Sequence, residues 1–336
     1  MKVTIYNIAK EAGVSIATVS KVINNTGRIS EKTRKKVQEV IKELDYHPNV
    51  MATALMGKKT KTIGLLIPDL ANPFFSELAR NIEDSAHELG YNIIICSTDY
   101  SPEKESKYIT LLKQKQVDGF ILASGFEDLI KVEELIKEEI PVVIVARDFP
   151  MFPVNAVAID DFMGGYEATS FLIKLGHKKI GIIARDIWSN RERVRGYKQA
   201  LEDNNLKAMF LVYAQETTIL WGKKITNVYL KGDQIPTAIF TCNDLLTIGA
   251  IQAAKENGLT VPNDLSVVGF DDTMIATVVD PPLTTIAQPI VLMGKEVMSL
   301  IVGIIEGEKK DKIRVTLMPN LIERKSTAGV KNGINA

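Results

Sequence analysis

Residues 4–24, TIYNIAKEAGVSIATVSKVIN, decide the reading of the whole chain. Thr4 offers an N-cap oxygen ahead of Ile5, Ile8, Ala9 and Ala12, which recur at helical spacing, so a helix is expected to about residue 12. Gly13 stops it, and Ser15 caps a second helix that carries Val19, Val22 and Ile23 on one face and ends at Asn24 and Asn25. Two short helices joined by a turn containing Gly have helix-turn-helix spacing. Just beyond, Ser30 caps a third helix whose Val37, Val40, Ile41 and Leu44 form an inner stripe, and contacts among Ala9, Val19 and Val37 would close a small core. The second helix leaves Ile16, Ala17, Ser20 and Lys21 facing outward, a short and partly polar set able to enter a major groove. Patterning alone would equally suit a basic helical bundle with no nucleic-acid role.

Charge points the same way. The 336 residues carry 41 Lys+Arg and 41 Asp+Glu, but the first sixty hold 11 basic residues against 5 acidic, leaving 30 against 36 in the remainder. A basic head on an acidic body is the distribution of a polyanion-binding module joined to a non-binding core. Length calls for two or three units. The start, MKVTIYNIAK, has no apolar segment of a signal peptide, and no apolar run approaches the roughly 20 residues of a membrane span. Cys96 and Cys242 lie far apart with no CxxC and no His pair at ligand spacing, so neither a disulfide framework nor a zinc site is indicated. A cytoplasmic protein without membrane association and without a cofactor is expected.

The run quoted above resembles the DNA-binding head of the LacI/GalR repressor family, and His47-Pro48-Asn49 leading into residues 50–56, VMATALM, resembles that family's hinge helix. Pro48 pushes its predecessor out of helical conformation, and a helix of about eight residues is too short to be stable alone in water. The resemblance implies that the hinge helices of a dimer form on operator DNA and lie in the minor groove. There Leu55 would wedge between bases, with Ala52 the small residue allowing close approach and Asn49, at the start of the hinge helix, among the DNA-binding residues. It further implies that Ile16, Ala17 and Lys21 meet base edges, while Thr4, Tyr6, Ser15, Thr18, Ser20 and Asn24 contact phosphates and set register. One departure stands out: family members usually carry Arg where this chain has Lys21, and lysine is a point donor rather than a bidentate fork.

From Thr62 onward, short β-branched runs alternate with amphipathic stretches. Strands are expected at 63–67, 92–96, 119–123, 142–146, 157–159, 180–183, 238–241 and 266–270, and helices at 75–89, 103–114, 127–137, 164–175, 193–204, 245–254 and 291–304. Continuous apolar strands between helices mean parallel sheets covered on both faces. The pattern occurs twice, so two doubly wound lobes are expected, with ligand held between them at the carboxyl ends of their strands. The stretches AIDDFMGGYEAT, LGHKKIGII, RVRGYKQAL, PTAIFTCND, LSVVGFDD and PPLTTIAQP resemble the periplasmic-binding-protein-like sensor of the same family. The fold class is therefore an N-terminal all-α helix-turn-helix head plus an α/β sensor of two parallel-sheet lobes. Expected boundaries are 1–47 for the head, 48–60 for the hinge, 61–161 with 289–322 for lobe one, and 162–288 with 323–336 for lobe two.

Strand-end residues that would face the cleft are Asn72, Phe74 and Phe75 after the first strand, Arg147, Asn243 with Asp244, and Asp271. Arg193 matches an arginine that bonds the effector in the family. Asn and carboxylate groups suit hydroxyl-rich ligands, since each can serve two hydroxyls. Asp244 reads equally as a helix cap and Phe75 equally as core. Many sugar-sensing relatives carry Asp where this chain has Ala146 followed by Arg147, and Arg185 and Arg191 add positive charge, so a neutral sugar, a sugar phosphate and other metabolites all stay open. Within the family the chain most resembles the DegA-like and catabolite-control members of Gram-positive bacteria, which keeps control by a protein partner open as well. No GxSxG, P-loop, HExxH or GxGxxG occurs. His47, His87 and His177 are scattered, with His177 read as a surface or C-capping residue. Asp160-Asp161 and Asp271-Asp272, read as strand neighbours, point to opposite faces and build no metal site. Expected partners are duplex operator DNA, a small-molecule effector and a second copy of the chain, with a tetramer also open. The implied activity is effector-controlled repression, and catalysis is not expected.

Overall fold

A computed structural model describes residues 3–23, 26–46, 59–123, 126, 129–308 and 311–330. The chain divides into two units, residues 1–60 and 61–336.

In the first unit α1 (Ile5–Ala12), α2 (Ile16–Ile23) and α3 (Glu31–Glu43) bury Ile8, Ala9, Ala12, Val19, Val22, Val37 and Val40 against one another. Asn7 closes the start of α1, its Oδ1 accepting from Thr4 N at 2.9 Å. Gly13 adopts φ +63 and returns its N–H to Ala9 and Lys10, the left-handed ending that a Cβ would penalise. Ser15 Oγ accepts from Thr18 N and Ser30 Oγ from Thr33 N, so each serine read as a cap makes the first-turn bond.

The second unit holds two six-stranded sheets. The first contains β1 (Thr62–Ile67), β2 (Asn92–Ser97), β3 (Gly119–Ala123), β4 (Val142–Val145), β5 (Asn155–Ile159) and β11 (Arg314–Leu317), in the order β11-β5-β4-β3-β1-β2. Its strands run parallel, with Leu65 of β1 opposite both Ile95 and Ile121. Helices α4 (Pro73–Glu88) and α12 (Ile290–Ile305) supply core to one face, and α5 (Pro102–Gln114) and α6 (Leu129–Lys137) to the other. The second sheet contains β6 (Ile180–Arg185), β7 (Phe210–Ala214), β8 (Ala238–Thr241), β9 (Ser266–Asp271), β10 (Thr284–Ala287) and β12 (Asn320–Ile322), ordered β12-β10-β9-β8-β6-β7. It is flanked by α7 (Asp161–Lys174) and α8 (Trp188–Asp203) on one side and α9 (Ile219–Leu230) and α10 (Asp244–Glu256) on the other, with a short α11 (Met274–Val278) after β9.

Two doubly wound lobes are thus present, and the chain passes between them after β5, after β10 and after β11. The last crossing differs from the sequence reading: β12 pairs antiparallel with β10, so lobe two already begins at Asn320 and not after residue 322. Asp160 and Asp161 are not strand neighbours either; Asp160 Oδ1 caps α7 through Met163 N, and Asp161 is the first helical residue. His177 is 4% exposed and not a surface or capping residue. Ala328 O can only accept, so His177 Nε2 donates to it at 3.0 Å and Nδ1 receives Thr237 Oγ1 at 2.9 Å. No helix among the described residues is long and apolar enough to cross a membrane.

Candidate functional site

On α2 the buried edge is Val19 and Val22, which leaves Ile16, Ala17 and Lys21 exposed and Thr18 and Ser20 half-buried. Thr4, Tyr6 and Ser15 are exposed as well, Tyr6 at 69%. An exposed tyrosine and isoleucine on so small a unit, beside serine and threonine hydroxyls and a lysine, form a surface that can meet both base edges and phosphates. Asn24, Asn49, Ala52 and Leu55 lie outside the described residues.

In the second unit a cavity of about 40 Å³ lies where the carboxyl ends of both sheets meet. Each lining residue follows a strand: Asn72, Phe74 and Phe75 follow β1, Tyr100 follows β2, Ala146 follows β4, and Ile187, Ser189, Asn190 and Arg193 follow β6. Thr217 follows β7, Cys242 and Asn243 follow β8, Asp271 ends β9 and Gln288 follows β10. The strand ends of open α/β sheets are where ligand sites form.

Arg193 is the electrostatic centre. Its Nε donates to Asp161 Oδ1 at 2.8 Å, its Nη1 to Cys242 O at 2.6 Å, and its guanidinium lies 3.5 Å from the centre of the Phe270 ring. Asp271 Oδ1 stands 3.9 Å from Nη1 and accepts from Gln288 Nε2 at 2.7 Å. Burial pushes the Asp161 carboxyl up to about 6 although Arg193 pulls the other way, and burial likewise raises Asp271. Asn190 is 2% exposed, and its Nδ2 has no hydrogen-bond partner among the described residues. A buried amide left so is costly, and a ligand acceptor would satisfy it.

Close helix packing sets Arg193 in place. A Cβ built on Gly165 of α7 would lie 2.1 Å from Arg193 O, and one on Gly196 of α8 2.0 Å from Phe162 O. Gly165→Ala must therefore drive α7 and α8 apart. The expected loss is about 1–3 kcal/mol of stability, read as a lower midpoint in urea unfolding of the full chain.

The backbone is also unusual here. Ala146, Asp271 and Tyr100 take φ of +59, +105 and +56, a region where side chains are penalised and which persists at ligand clamps and functional sites.

Six of the residues expected at the cleft line the cavity together: Asn72, Phe74, Phe75, Arg193, Asn243 and Asp271. Two do not. Arg147 donates to Phe126 O at 3.1 Å and stacks on Phe149, inside lobe one. Asp244 sits behind the wall, its Oδ2 accepting Thr273 N and Oγ1 at 2.8 and 2.7 Å; the cap of α10 is Asn243, through Leu246 N. Asn190, Tyr100, Ser189 and Gln288 were not expected there; their only signal is position just past a strand end.

Burial raises the Asp244 carboxyl to about 7 against the pull of the Thr273 bonds. The folded state then holds a proton that the unfolded chain releases near pH 4. This contribution to stability is complete below that pH and lost as pH rises through 7. Burial lowers the His177 pKa, which acts in the opposite direction on acidification. The test is therefore the difference between wild type and Asp244→Asn. Wild type should gain about 1.4 kcal/mol more than the variant between pH 8 and pH 6, one pKa unit's worth, in urea unfolding at each pH.

Residues 4–49 match the family model described as bacterial regulatory proteins, lacI family, and residues 169–327 match a periplasmic binding protein-like domain. The chain is 47% identical to the HTH-type transcriptional regulator DegA of Bacillus subtilis (strain 168), over 98% of this chain and 99% of that one. It is similar to the lac repressor dimer bound to operator and the anti-inducer ONPF, with a TM-score of 0.89 and 30% identity, covering 98% of this chain and 100% of that one. It is also similar to the transcriptional regulator CelR–cellobiose complex, at a TM-score of 0.74 and 30% identity, covering 97% and 100%.

Proposed function

The chain belongs to the lacI family of bacterial regulatory proteins and is a DNA-binding transcriptional regulator, not an enzyme; from that premise we propose that it represses as a homodimer on a palindromic operator under the control of a small neutral, hydroxyl-rich effector held in the cleft. The observation that carries the effector is the cavity at the strand ends, with the buried Asn190 Nδ2 left without a partner among the described residues and Asp271 facing in.

Charge selects the ligand class. Among the described lining residues Arg193 is the sole cation, and Asp161 and Cys242 O already hold it. Arg147 is turned into lobe one, and Arg191 pairs with exposed Asp186 at 2.7 Å. A phosphate in the deep cavity would meet no cation but the already held Arg193, with two carboxylates nearby. Hydroxyls can instead accept from Asn190 and donate to Asp271. The similar CelR structure holds cellobiose, a neutral sugar of that kind.

Support for a second copy comes from β2, an edge strand on which Ile94 and Ile95 are 37% and 40% exposed. An uncovered apolar edge is a liability that a partner removes. The similar lac repressor is a dimer on its operator. On DNA, α2 would enter the major groove of each half-site, and the hinge with Asn49, Ala52 and Leu55 would take the minor groove.

The experiment is titration of the full chain with a pool of duplexes at several salt concentrations, repeated with candidate sugars. A preferred palindromic site, bound far more tightly than random duplex and shifted by one sugar, is the expected result. Binding that depends on salt alone with no preferred sequence would overturn the reading.

A further inference from the structure

Beside the deep cavity lies a second chamber, larger and assigned no role so far. It measures about 320 Å³ and is lined from lobe one by Asp69, Asp99 and Tyr100 and from lobe two by Arg185, Glu216, Thr217 and Thr218. Tyr100 and Thr217 line both spaces, so they are the wall between them. The deep cavity, at about 40 Å³, has room for a few waters. Small-molecule sites run to about 300–1,000 Å³, so no sugar ring can meet Asn190 and Asp271 while that wall stands. The outer chamber by itself reaches only the lower end of that range and contains neither residue.

The wall is built to be held and to move. Asp99 and Tyr100 are consecutive non-glycine residues with φ +54 and +56, so the turn that aims the ring is strained. What holds the ring is the Arg185 guanidinium, 3.8 Å from its centre and contributed by the opposite lobe, together with a hydrogen bond between the Tyr100 hydroxyl and the Thr217 side chain. A cation over a largely buried phenol ring is worth about 2 kcal/mol, an attraction that ligand contacts can replace.

We propose that the outer chamber is a second effector subsite, joined to the deep cavity when the Tyr100 ring swings aside, and that Tyr100 sets how long an effector the cleft accepts. This rests on the effector reading above. The merged space takes an elongated neutral ligand of about two sugar rings. One end meets Asn190, Asp271 and Arg193, and the other lies among Asp69, Glu216 and Arg185, whose oxygens and nitrogens can serve its hydroxyls.

Cys242 lines the deep cavity and is 1% exposed, which gives a readout independent of any effector. Cys96, on β2 and 8% exposed, is an internal control in the same molecule. The full chain is treated with methyl methanethiosulfonate, and labelling of each cysteine is followed by peptide mass spectrometry. Tyr100→Gly keeps the left-handed backbone and removes the ring. Relative to Cys96, Cys242 should label about 10-fold faster in this variant, because reactivity follows access. Tyr100→Phe keeps the ring under Arg185 but loses the hydroxyl bond to Thr217, and its ratio should stay well below that of Tyr100→Gly. An unchanged ratio in Tyr100→Gly, including one where both cysteines speed up together, overturns the partition. Glucose and cellobiose are then the probes for length: cellobiose should slow labelling of wild-type Cys242 and glucose should not. Equal protection by both, or by neither, overturns the two-ring assignment. The operator titration uses no sugar in its first arm, so failure here is separable from failure of the regulator reading.

Discussion

Arg193→Ala should destabilise residues 61–336 by about 3–5 kcal/mol, the cost of leaving one member of a buried ion pair without the other. Asp161, with its side chain 2% exposed, would lose its 2.8 Å partner, Cys242 O its 2.6 Å donor, and Phe270 the cation against its face. Urea unfolding of the purified variant measures the loss directly. Arg193→Met combined with Asp161→Asn should recover part of it, since the closer pair of charges then leaves together while Asp271, 3.9 Å from the guanidinium, stays buried without it. A single variant as stable as wild type would show that Arg193 is held for the ligand alone. The consequence for function is that loss of effector response in Arg193→Ala does not by itself identify a ligand contact. Arg193→Lys, which keeps the charge but gives up the planar fork, is the better probe of response.

That dual role was out of reach of the sequence. The arginine itself is legible in RVRGYKQAL, but its partner lies 32 residues earlier. The two meet because Gly165 and Gly196 let α7 and α8 touch backbone to backbone. Asp244 shows the opposite failure: it follows a strand end, as ligand residues do, yet Thr273 and Thr285 draw it behind the wall. Arg147 fails similarly, captured by Phe126 O. Asn190 was missed because an Asn in the first turn of a helix normally faces water; here it is buried and lines the cavity.

The architecture was far more legible. Strands buried on both faces must be apolar throughout, and Ile63–Ile67, Gly119–Ala123 and Ala238–Thr241 announce themselves by that. β7 (Phe210–Ala214) escaped in spite of its apolar run, as did the α9 helix after it; the other strands that escaped have another means of stability. β10 is Thr-Thr-Ile-Ala, and its buried hydroxyls are bonded to Thr327 and Asp244. β11 and β12 lie at sheet edges, where half-exposed residues carry no apolar signature. The head was readable nearly residue by residue, because three short helices depend on caps and a narrow stripe, and those are local.

On the proposed palindromic operator, Lys21→Ala should cost the proposed dimer about 2–6 kcal/mol of affinity and almost none of its affinity for random duplex. A side chain that reads a base edge is worth about 1–3 kcal/mol, and two symmetric half-sites each lose one, so the effect doubles. In binding constants this is roughly 30-fold to 10⁴-fold. Lys21 is exposed on α2, away from the Val19 and Val22 edge that holds the helix to its unit, so the substitution removes contact without removing core. The alternative is that Lys21 only neutralises a phosphate. Affinity would then fall by a similar factor on every sequence, and the salt slope would drop by about one per half-site. Lys21→Arg separates the two. A phosphate contact should survive the exchange with sequence preference unchanged, whereas a base contact should shift preference toward guanine at one position of each half-site, where the guanidinium fork can bond bidentately. Selection of preferred duplexes by wild type and both variants, at one fixed salt concentration, decides between them.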